Sequence, residues 1–261
     1  MKFKTLLKLK RMWQAYVLSS VRIPYSQWKK STFVSPSILC LSTSERTRLR
    51  KITSLFLRKK TISFIGDMND EISKQIHIAA QASLLILNLD LDCFEGWSEV
   101  IVYPESFVVN REEFDRNGVA HKVRRVLAGE SWRRGPVVLS WSDADPHANN
   151  RRLGSNVILH EFAHKLDTLN GPADGYPPLH SGMQIEEWTS ALKDAFDTIN
   201  HKLDYHHRTF IDPYAAESPA EFFAVLTEVF FEQPIRLKQL YPEVYKQYSL
   251  YYRQDPASRA G

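Results

Sequence analysis

Apolar residues recur at helical spacing in two long stretches of the first hundred residues, 44–60 and 69–87. The apolar face of the first stretch consists of Leu49, Ile52, Leu55 and Phe56. Such spacing predicts amphipathic helices that bury one side. A shorter version of the pattern over residues 3–18 also carries many lysines. It indicates either a short helix packed on the protein or a weak membrane-surface helix.

Short runs rich in β-branched residues predict strands at residues 61–65, 100–103, 107–109 and 136–141. Prolines at positions 24 and 36 favour a loop-rich stretch between them, and residues 142–152 read as a loop. From Asn156 onward, helical patterns dominate. The predicted fold class is therefore α+β, a mainly helical body with a small central sheet.

Charge divides the chain unevenly, although the net charge of +4 over 261 residues looks modest. Residues 1–60 hold fifteen Lys and Arg against one acid, a net of +14, and residues 61–261 hold nineteen against twenty-nine, a net of −10. We therefore expect a basic N-terminal arm over residues 1–35 and one domain over residues 36–261. Such an arm is typical of a segment that meets an anionic partner or covers an acidic body.

Composition excludes several classes of protein. Two cysteines are too few for a disulfide-dense secreted scaffold or an all-thiolate zinc cluster. We expect no membrane span, because no apolar run is long enough, and no signal peptide, which makes the cytoplasm the expected compartment. Direct nucleic-acid binding is not expected, because no recognition motif accompanies the basic segment.

One motif carries chemistry: His160-Glu161-Phe-Ala-His164 lies in an apolar stretch that predicts a buried helix. Histidines four apart project from the same helical face, so two imidazoles can reach one metal ion. Glu161 lies about 100° round the helix, where a carboxylate can act as general base without binding the metal. A pair of hydrogen-bonded core histidines is the alternative, and the metal site is favoured.

The residues leave several candidates for the third ligand. The position of a third histidine in the extended motif is Asn170, and Asp167 fits better as an acceptor for a ligand imidazole or as a helix-end polar group. Glu221 begins an apolar helical segment and is a candidate ligand, yet Ser218 three residues earlier makes it equally a capping box. Glu228 and Glu217 are the remaining carboxylate candidates.

Tyr214 and three histidines are further polar residues in this part of the chain. Tyr214 precedes the Glu221 segment, and a phenol there can donate a hydrogen bond to an oxyanion. As one tyrosine among eleven it fits a packing role better. The histidines of a later polar stretch are expected to be exposed; they are His201, His206 and His207.

Several motifs together resemble one known family, the Mlc titration factor A family of zinc metallopeptidases. They are His-Glu-Phe-Ala-His-Lys-Leu-Asp at 160–167, Gly-Pro-Val-Val-Leu-Ser-Trp before it, Trp-Ser-Glu-Val-Ile-Val-Tyr-Pro at 97–104, Tyr-Ala-Ala-Glu-Ser-Pro-Ala-Glu-Phe-Phe-Ala-Val-Leu-Thr-Glu-Val-Phe-Phe from Tyr214, and Tyr-Arg-Gln-Asp-Pro at 252–256. The resemblance spans most of residues 40–257 and leaves out the first thirty or so.

The resemblance implies a zincin-like fold with one Zn²⁺ held by His160, His164 and Glu221. It implies that Glu161 is the general base and Tyr214 the oxyanion donor. The zinc site is expected to resemble that of anthrax lethal factor, and the activity to be cytosolic hydrolysis of peptides of the aminopeptidase type. Members of the family also bind a glucose-responsive repressor, Mlc. A non-enzymatic regulator that sequesters such a repressor is the alternative function.

Overall fold

The predicted helices and strands form the body of the protein in a computed structural model. It describes residues 23–69, 71–89, 91–105, 107–114, 120–127, 129–131, 135–148 and 154–259. The helices are α1 (Tyr25–Thr32), α2 (Pro36–Leu39), α3 (Thr43–Lys59), α4 (Glu71–Leu85), α5 (Trp141–Ala144), α6 (Val157–Asp167), α7 (Ile185–Asp204), α8 (Pro219–Glu232), α9 (Pro234–Leu240) and α10 (Pro242–Tyr252). Short 3-10 turns occupy Leu91–Phe94, Pro213–Ala216 and Pro256–Arg259.

The strands are β1 (Thr61–Phe64), β2 (Glu99–Tyr103), β3 (Phe107–Phe114), β4 (Ala120–Leu127), β5 (Gly129–Ser131) and β6 (Val137–Ser140). Within the described ranges they form a four-stranded sheet of order β1-β2-β6-β5 and a separate β3-β4 hairpin. β1, β2 and β6 run parallel, with Val100 paired to Ile62 on one side and Val137 on the other, and β5 is antiparallel to β6. A mainly helical α+β fold with a small sheet is confirmed.

Two stretches predicted as loops contain helices. α1 lies between the two prolines. Pro24 occupies its N-cap, and Pro36 is the first residue of α2. Proline is tolerated in both places because the amide hydrogen it lacks would have no partner within the helix. The chain also turns into α5 directly after β6, so Trp141, predicted as the end of a strand, begins a helix that extends into the predicted loop 142–152. The predicted helix over residues 3–18 lies outside the described residues.

Two apolar residues of the predicted basic arm, Ile23 and Trp28, belong to the core. Ile23 is 5% and Trp28 2% exposed, and both join the hydrophobic core formed by the rest of the protein. The guanidinium of Arg50 in α3 also donates to the carbonyl of Ile23. These contacts attach residues 23–32 to the helical body.

Helix α6 lies at the centre, and every one of its residues is buried. One side packs on an aromatic cluster whose rings meet Phe162 at centroid distances of 5.3–5.7 Å; its members are Phe56, Phe94 and Trp97. Another side packs along α8, which is itself supported by Trp188 of α7 and Tyr248 of α10 around Phe223. Among the described residues, no helix combines the length and apolar composition needed to cross a bilayer.

Candidate metal centre

Helix α6 places the two histidines of the motif in the interior. Asn156 caps its first turn, with the amide of Leu159 donating to Asn156 Oδ1 at 3.3 Å. His160 and His164 then follow one turn apart, and they are only 8% and 9% exposed. Because buried imidazoles need polar partners, the helix requires a second element to supply them.

That element is the first turn of α8, which brings Glu221 to both histidines. Glu221 Oε2 lies 3.0 Å from His160 Nε2 and 3.3 Å from His164 Nε2, and the two Nε2 atoms are 3.2 Å apart. A tetrahedral zinc ion with bonds of about 2.0–2.1 Å separates neighbouring ligand atoms by roughly 3.3 Å. The three atoms therefore have the spacing of one face of such a tetrahedron, and they form a candidate metal cluster of the described residues.

Charge at the cluster favours a cation at its centre. Burial opposes a charge on His160, but its hydrogen bonds with Glu221 and Glu228 outweigh burial and raise the pKa of the imidazole well above its usual value. Burial likewise opposes the Glu221 carboxylate, yet the hydrogen bonds and charges of His160 and His164 hold its pKa far below the usual range. Carboxylates that stabilise a proton here would equally stabilise a divalent ion.

Glu228, two turns along α8, acts on the far side of His160. Its Oε1 lies 2.7 Å from His160 Nδ1, and its Oε2 accepts the backbone amide of Asn156. A proton shared at Nδ1 leaves the Nε2 lone pair free for the cluster, which is the arrangement typical of metal-bound histidine. Glu228 thus lies behind the ligand atoms, and Glu217 is exposed at the surface.

Glu161 is buried beside the cluster, with 4% of its surface exposed. Its Oε2 has no hydrogen-bond partner among the described residues. Burial raises the pKa of this carboxyl to about 7, opposed by the charges of His160 and His164 and reinforced by those of Glu221 and Glu228. A group of that basicity can accept and return a proton near neutral pH.

Of the two roles expected for Asp167, the structure shows the helix-end polar group, and no hydrogen bond joins it to either imidazole among the described residues. It lies at the end of α6, fully buried, and its Oδ2 accepts the backbone amide of Gly175 at 2.9 Å. Burial raises the pKa of Asp167 to about 6, although the Gly175 hydrogen bond opposes the rise. His164 Nδ1 has no partner among the residues that the structure describes.

Tyr214 lies near the cluster, in the 3-10 turn that leads into α8. Its turn is capped by Asp212, whose Oδ1 accepts the Tyr214 amide at 3.0 Å. The Tyr214 ring is half-buried, with its centroid 5.9 Å from that of His160. The structure therefore brings Tyr214 to the motif helix, whereas the predicted exposure of His201, His206 and His207 is confirmed.

The sequence patterns did not predict the contacts of two residues of the site, Asn156 and Gly175. Asn156 links α6 to α8 through its backbone and through its side chain, which donates to Glu232 Oε1 at 2.9 Å. Its position just before the motif helix marks it as an N-cap, and nothing in the pattern marks the contact with α8. Gly175, the partner of Asp167, lies in a loop whose glycines look alike in the sequence.

Comparison with known proteins agrees with this geometry. Residues 9–253 match the model of a family described as glucose-regulated metallo-peptidase M90. The chain is 33% identical over 249 residues to the Mlc titration factor A of Escherichia coli O127:H6 (strain E2348/69 / EPEC) and to that of Shigella flexneri serotype 5b (strain 8401). The protein of that name from Escherichia coli (strain K12 / DH10B) is 32% identical. Each alignment covers 95% of this chain and 93% of the relative.

These matches confirm the family resemblance drawn from the motifs, and they extend it. The family match begins at residue 9, so the expectation that the first thirty or so residues lie outside the resemblance is wrong. Within the described part of this stretch, Ile23 and Trp28 are buried in the core of this protein.

Proposed function

The chain belongs to the family of glucose-regulated metallopeptidases M90, and we propose that it hydrolyses peptide bonds at a zinc ion held by His160, His164 and Glu221. The observation that carries the proposal is the set of three ligand atoms 3.0–3.3 Å apart, with the buried carboxylate of Glu161 beside them. Two imidazoles and one carboxylate are a typical donor set for catalytic zinc.

Zinc bound there would supply a Lewis acid that polarises the scissile carbonyl and makes water more acidic. The chain's own residues would do the rest. Glu161, with no hydrogen-bond partner on Oε2 among the described residues, takes the proton of the attacking water and later delivers it to the leaving amine. Glu228 fixes the ring of His160 through Nδ1. Tyr214 donates a hydrogen bond to the oxyanion that develops on the carbonyl oxygen.

The substrate class in this proposal is a peptide with a free amino terminus, as in aminopeptidase-type hydrolysis, and the compartment is the cytoplasm. The family resemblance supports both, and the metal centre supports hydrolysis itself. A library of peptides with free and acetylated amino termini tests the preference. Equal cleavage of both sets would contradict the aminopeptidase assignment and leave the peptidase activity in place.

The substitution Glu161→Gln tests the mechanism. It keeps the size of the side chain but removes its basicity, so peptide hydrolysis should be lost while one zinc per chain stays bound. Zinc is measured by elemental analysis and turnover with a fluorogenic peptide. Turnover retained at the wild-type rate would contradict the role of Glu161, and wild-type protein without zinc would contradict the metal assignment.

A second function is favoured by the names of the relatives, each called an Mlc titration factor A. We propose that this chain also binds a glucose-responsive transcriptional repressor of that kind. A pull-down with such a repressor that survives both zinc removal and Glu161→Gln would favour a regulator that works without catalysis. Loss of the interaction on zinc removal would tie the two functions to one site.

A further inference from the structure

The spacing of the ligand atoms depends on two helices that run in opposite directions. α6 carries His160 and His164, and α8 carries Glu221. At the amino end of α6, Asn156 bonds to Glu228 and Glu232 in the second half of α8. At the carboxyl end of α6, the contact passes through Gly175. The helix pair is thus joined at both ends, with the candidate metal centre in between.

Gly175 is held against both helices by its backbone. Its amide donates to Asp167 Oδ2 at 2.9 Å, which attaches it to the last residue of α6. Its α-carbon faces the first residue of α8, so closely that an added Cβ would lie 2.8 Å from the carbonyl carbon of Pro219 and overlap the carbonyl oxygen. Its φ of +77° is also a conformation that L side chains rarely adopt.

We propose that Gly175 is a positioning residue for the metal centre. The contact Asp167–Gly175–Pro219 sets how closely the first turn of α8 approaches the end of α6. Glu221 lies two residues after Pro219, so its distance from the two histidines follows from that approach. This inference rests on the proposed function, because it concerns how the same three ligands are spaced.

A glycine is needed here because the atoms it faces belong to the backbone. Any side chain at 175 would push the segment away from Pro219 or shift the first turn of α8. Ligand distances in a well-formed metal site lie within about 0.2 Å of their standard values. Gly154, near the other end of the pair, differs, because its added Cβ would meet the amide end of the Gln233 side chain, which can rotate away.

The experiment measures zinc affinity of the full chain by competition with a chromophoric chelator, for wild type and Gly175→Ala. We expect the dissociation constant for zinc to rise about 10- to 100-fold, the range typical for loss of a group that orients a ligand. Gly171→Ala and Gly182→Ala are the matched controls. Both lie in the same connection between α6 and α7, and an added Cβ at either meets nothing within 4 Å.

Visible absorption of the Co²⁺-substituted protein separates a change at the ligands from a general loss of stability. We expect Gly175→Ala to alter the d–d bands and both controls to keep the wild-type spectrum. Leu49→Ala, in the buried face of α3, serves as a destabilised control. It should lower the melting temperature while leaving the zinc affinity of the folded protein unchanged.

If Gly175→Ala does not fold, a second pair of variants tests the positioning role of Gly175. Asp167→Ala removes the acceptor of the Gly175 amide and should weaken zinc binding, whereas Asp167→Asn keeps one acceptor oxygen and should restore most of the affinity. Folded Gly175→Ala with wild-type zinc affinity and Co²⁺ spectrum would overturn the inference alone, as would Asp167→Ala with wild-type affinity. Wild-type protein that binds no zinc would overturn the proposed function and this inference together.

Discussion

Two helices of this protein begin with the same local signal, a serine followed three residues later by glutamate. At α3, Ser42 and Glu45 form a complete capping box, in which the Glu45 amide donates to Ser42 Oγ at 3.3 Å and the Ser42 amide donates to Glu45 Oε2 at 2.9 Å. At α8, Ser218 Oγ accepts the Glu221 amide at 3.2 Å, but the Glu221 carboxylate turns to His160 and His164.

The difference shows how surroundings decide the use of one side chain. The two side chains are similarly exposed, 26% for Glu45 and 22% for Glu221, so their partners make the difference. Glu45 meets the reciprocal bond and the guanidinium of Arg259. Glu221 faces two imidazoles, and a carboxylate in such a place is stabilised most by an opposite charge at short range. The first glutamate therefore completes a helix, and the second completes a candidate metal centre.

The largest expected effect comes from replacing the two glutamates in parallel. Glu221→Gln should lower zinc affinity by more than the roughly 10- to 100-fold that loss of an outer partner costs, and it should abolish peptide hydrolysis. An amide is a far weaker zinc ligand than a carboxylate. Glu45→Gln should leave both quantities unchanged. Elemental analysis measures the bound zinc of both variants, and peptidase assays measure their turnover. Equal zinc affinity in the two variants would contradict the different roles of Glu221 and Glu45.

Glu228→Gln tests whether α8 also acts through the far side of His160. A single amide oxygen cannot accept both from His160 Nδ1 and from the Asn156 amide, as the carboxylate does. Zinc affinity should fall about 10- to 100-fold. Glu232→Gln is the matched control, because Glu232 contacts the same asparagine through Oε1 without touching His160. A fall of the same size in the control would show that the asparagine, not the imidazole, is what matters.

Replacing each capping serine tests the same comparison with smaller expected effects. Ser218→Ala and Ser42→Ala should each reduce the free energy of unfolding by roughly 0.5–2 kcal/mol, the usual contribution of an N-cap. Only Ser218→Ala should also weaken zinc binding, by several-fold, because Glu221 lies in the turn that loosens. Chemical denaturation and chelator competition supply the two readouts. An equal change of zinc affinity in both variants would contradict a local effect.

The smallest expected effect is the pH dependence of the α3 capping box. Burial would raise the pKa of Glu45, but hydrogen bonds from Ser42 and the charge of Arg259 outweigh it, so the pKa lies below 4.5. The ionised carboxylate therefore contributes stability that is present above pH 4.5 and is lost as the pH falls through the lower folded value.

Melting curves of metal-free wild type and Glu45→Gln measure this contribution. We expect the wild type to be the more stable protein at neutral pH and the difference to shrink below pH 4.5. A difference that stays constant down to pH 3 would show that Glu45 stabilises α3 without its charge.

Much of the fold follows from periodicity in the sequence. The long helices α3 and α4 and strands β1, β2 and β6 were predicted to within a few residues, because each buries an apolar face or run whose spacing is visible locally. The two prolines predict a loop in place of α1, but Pro24 caps that helix and Pro36 begins α2. The sheet order β1-β2-β6-β5 lies beyond local patterns, since it depends on which strands the helices bring together.

The candidate site also has residues that the sequence identifies and residues whose role appears only in the structure. His160, Glu161 and His164 could be identified from the sequence because a helix fixes the directions of side chains four residues apart. Glu228 was expected only as a possible ligand, and its contact with Nδ1 joins residues 68 positions apart. Gly175 carried no distinguishing signal, because its role arises from the backbone of Pro219, which approaches from another helix.

By itself, then, the sequence determined the helical body, the motif helix and the kind of metal chemistry it suits. Whether Glu221 closes a capping box or meets two histidines was open at the level of residues, since Ser218 and Glu221 match the pattern of Ser42 and Glu45. The tertiary structure decided it by packing α8 against α6. Glu221 Oε2 thereby lies 3.0 Å from Nε2 of His160, a residue 61 positions away in the chain. Local spacing sets the direction of a side chain, and only packing sets what that side chain meets.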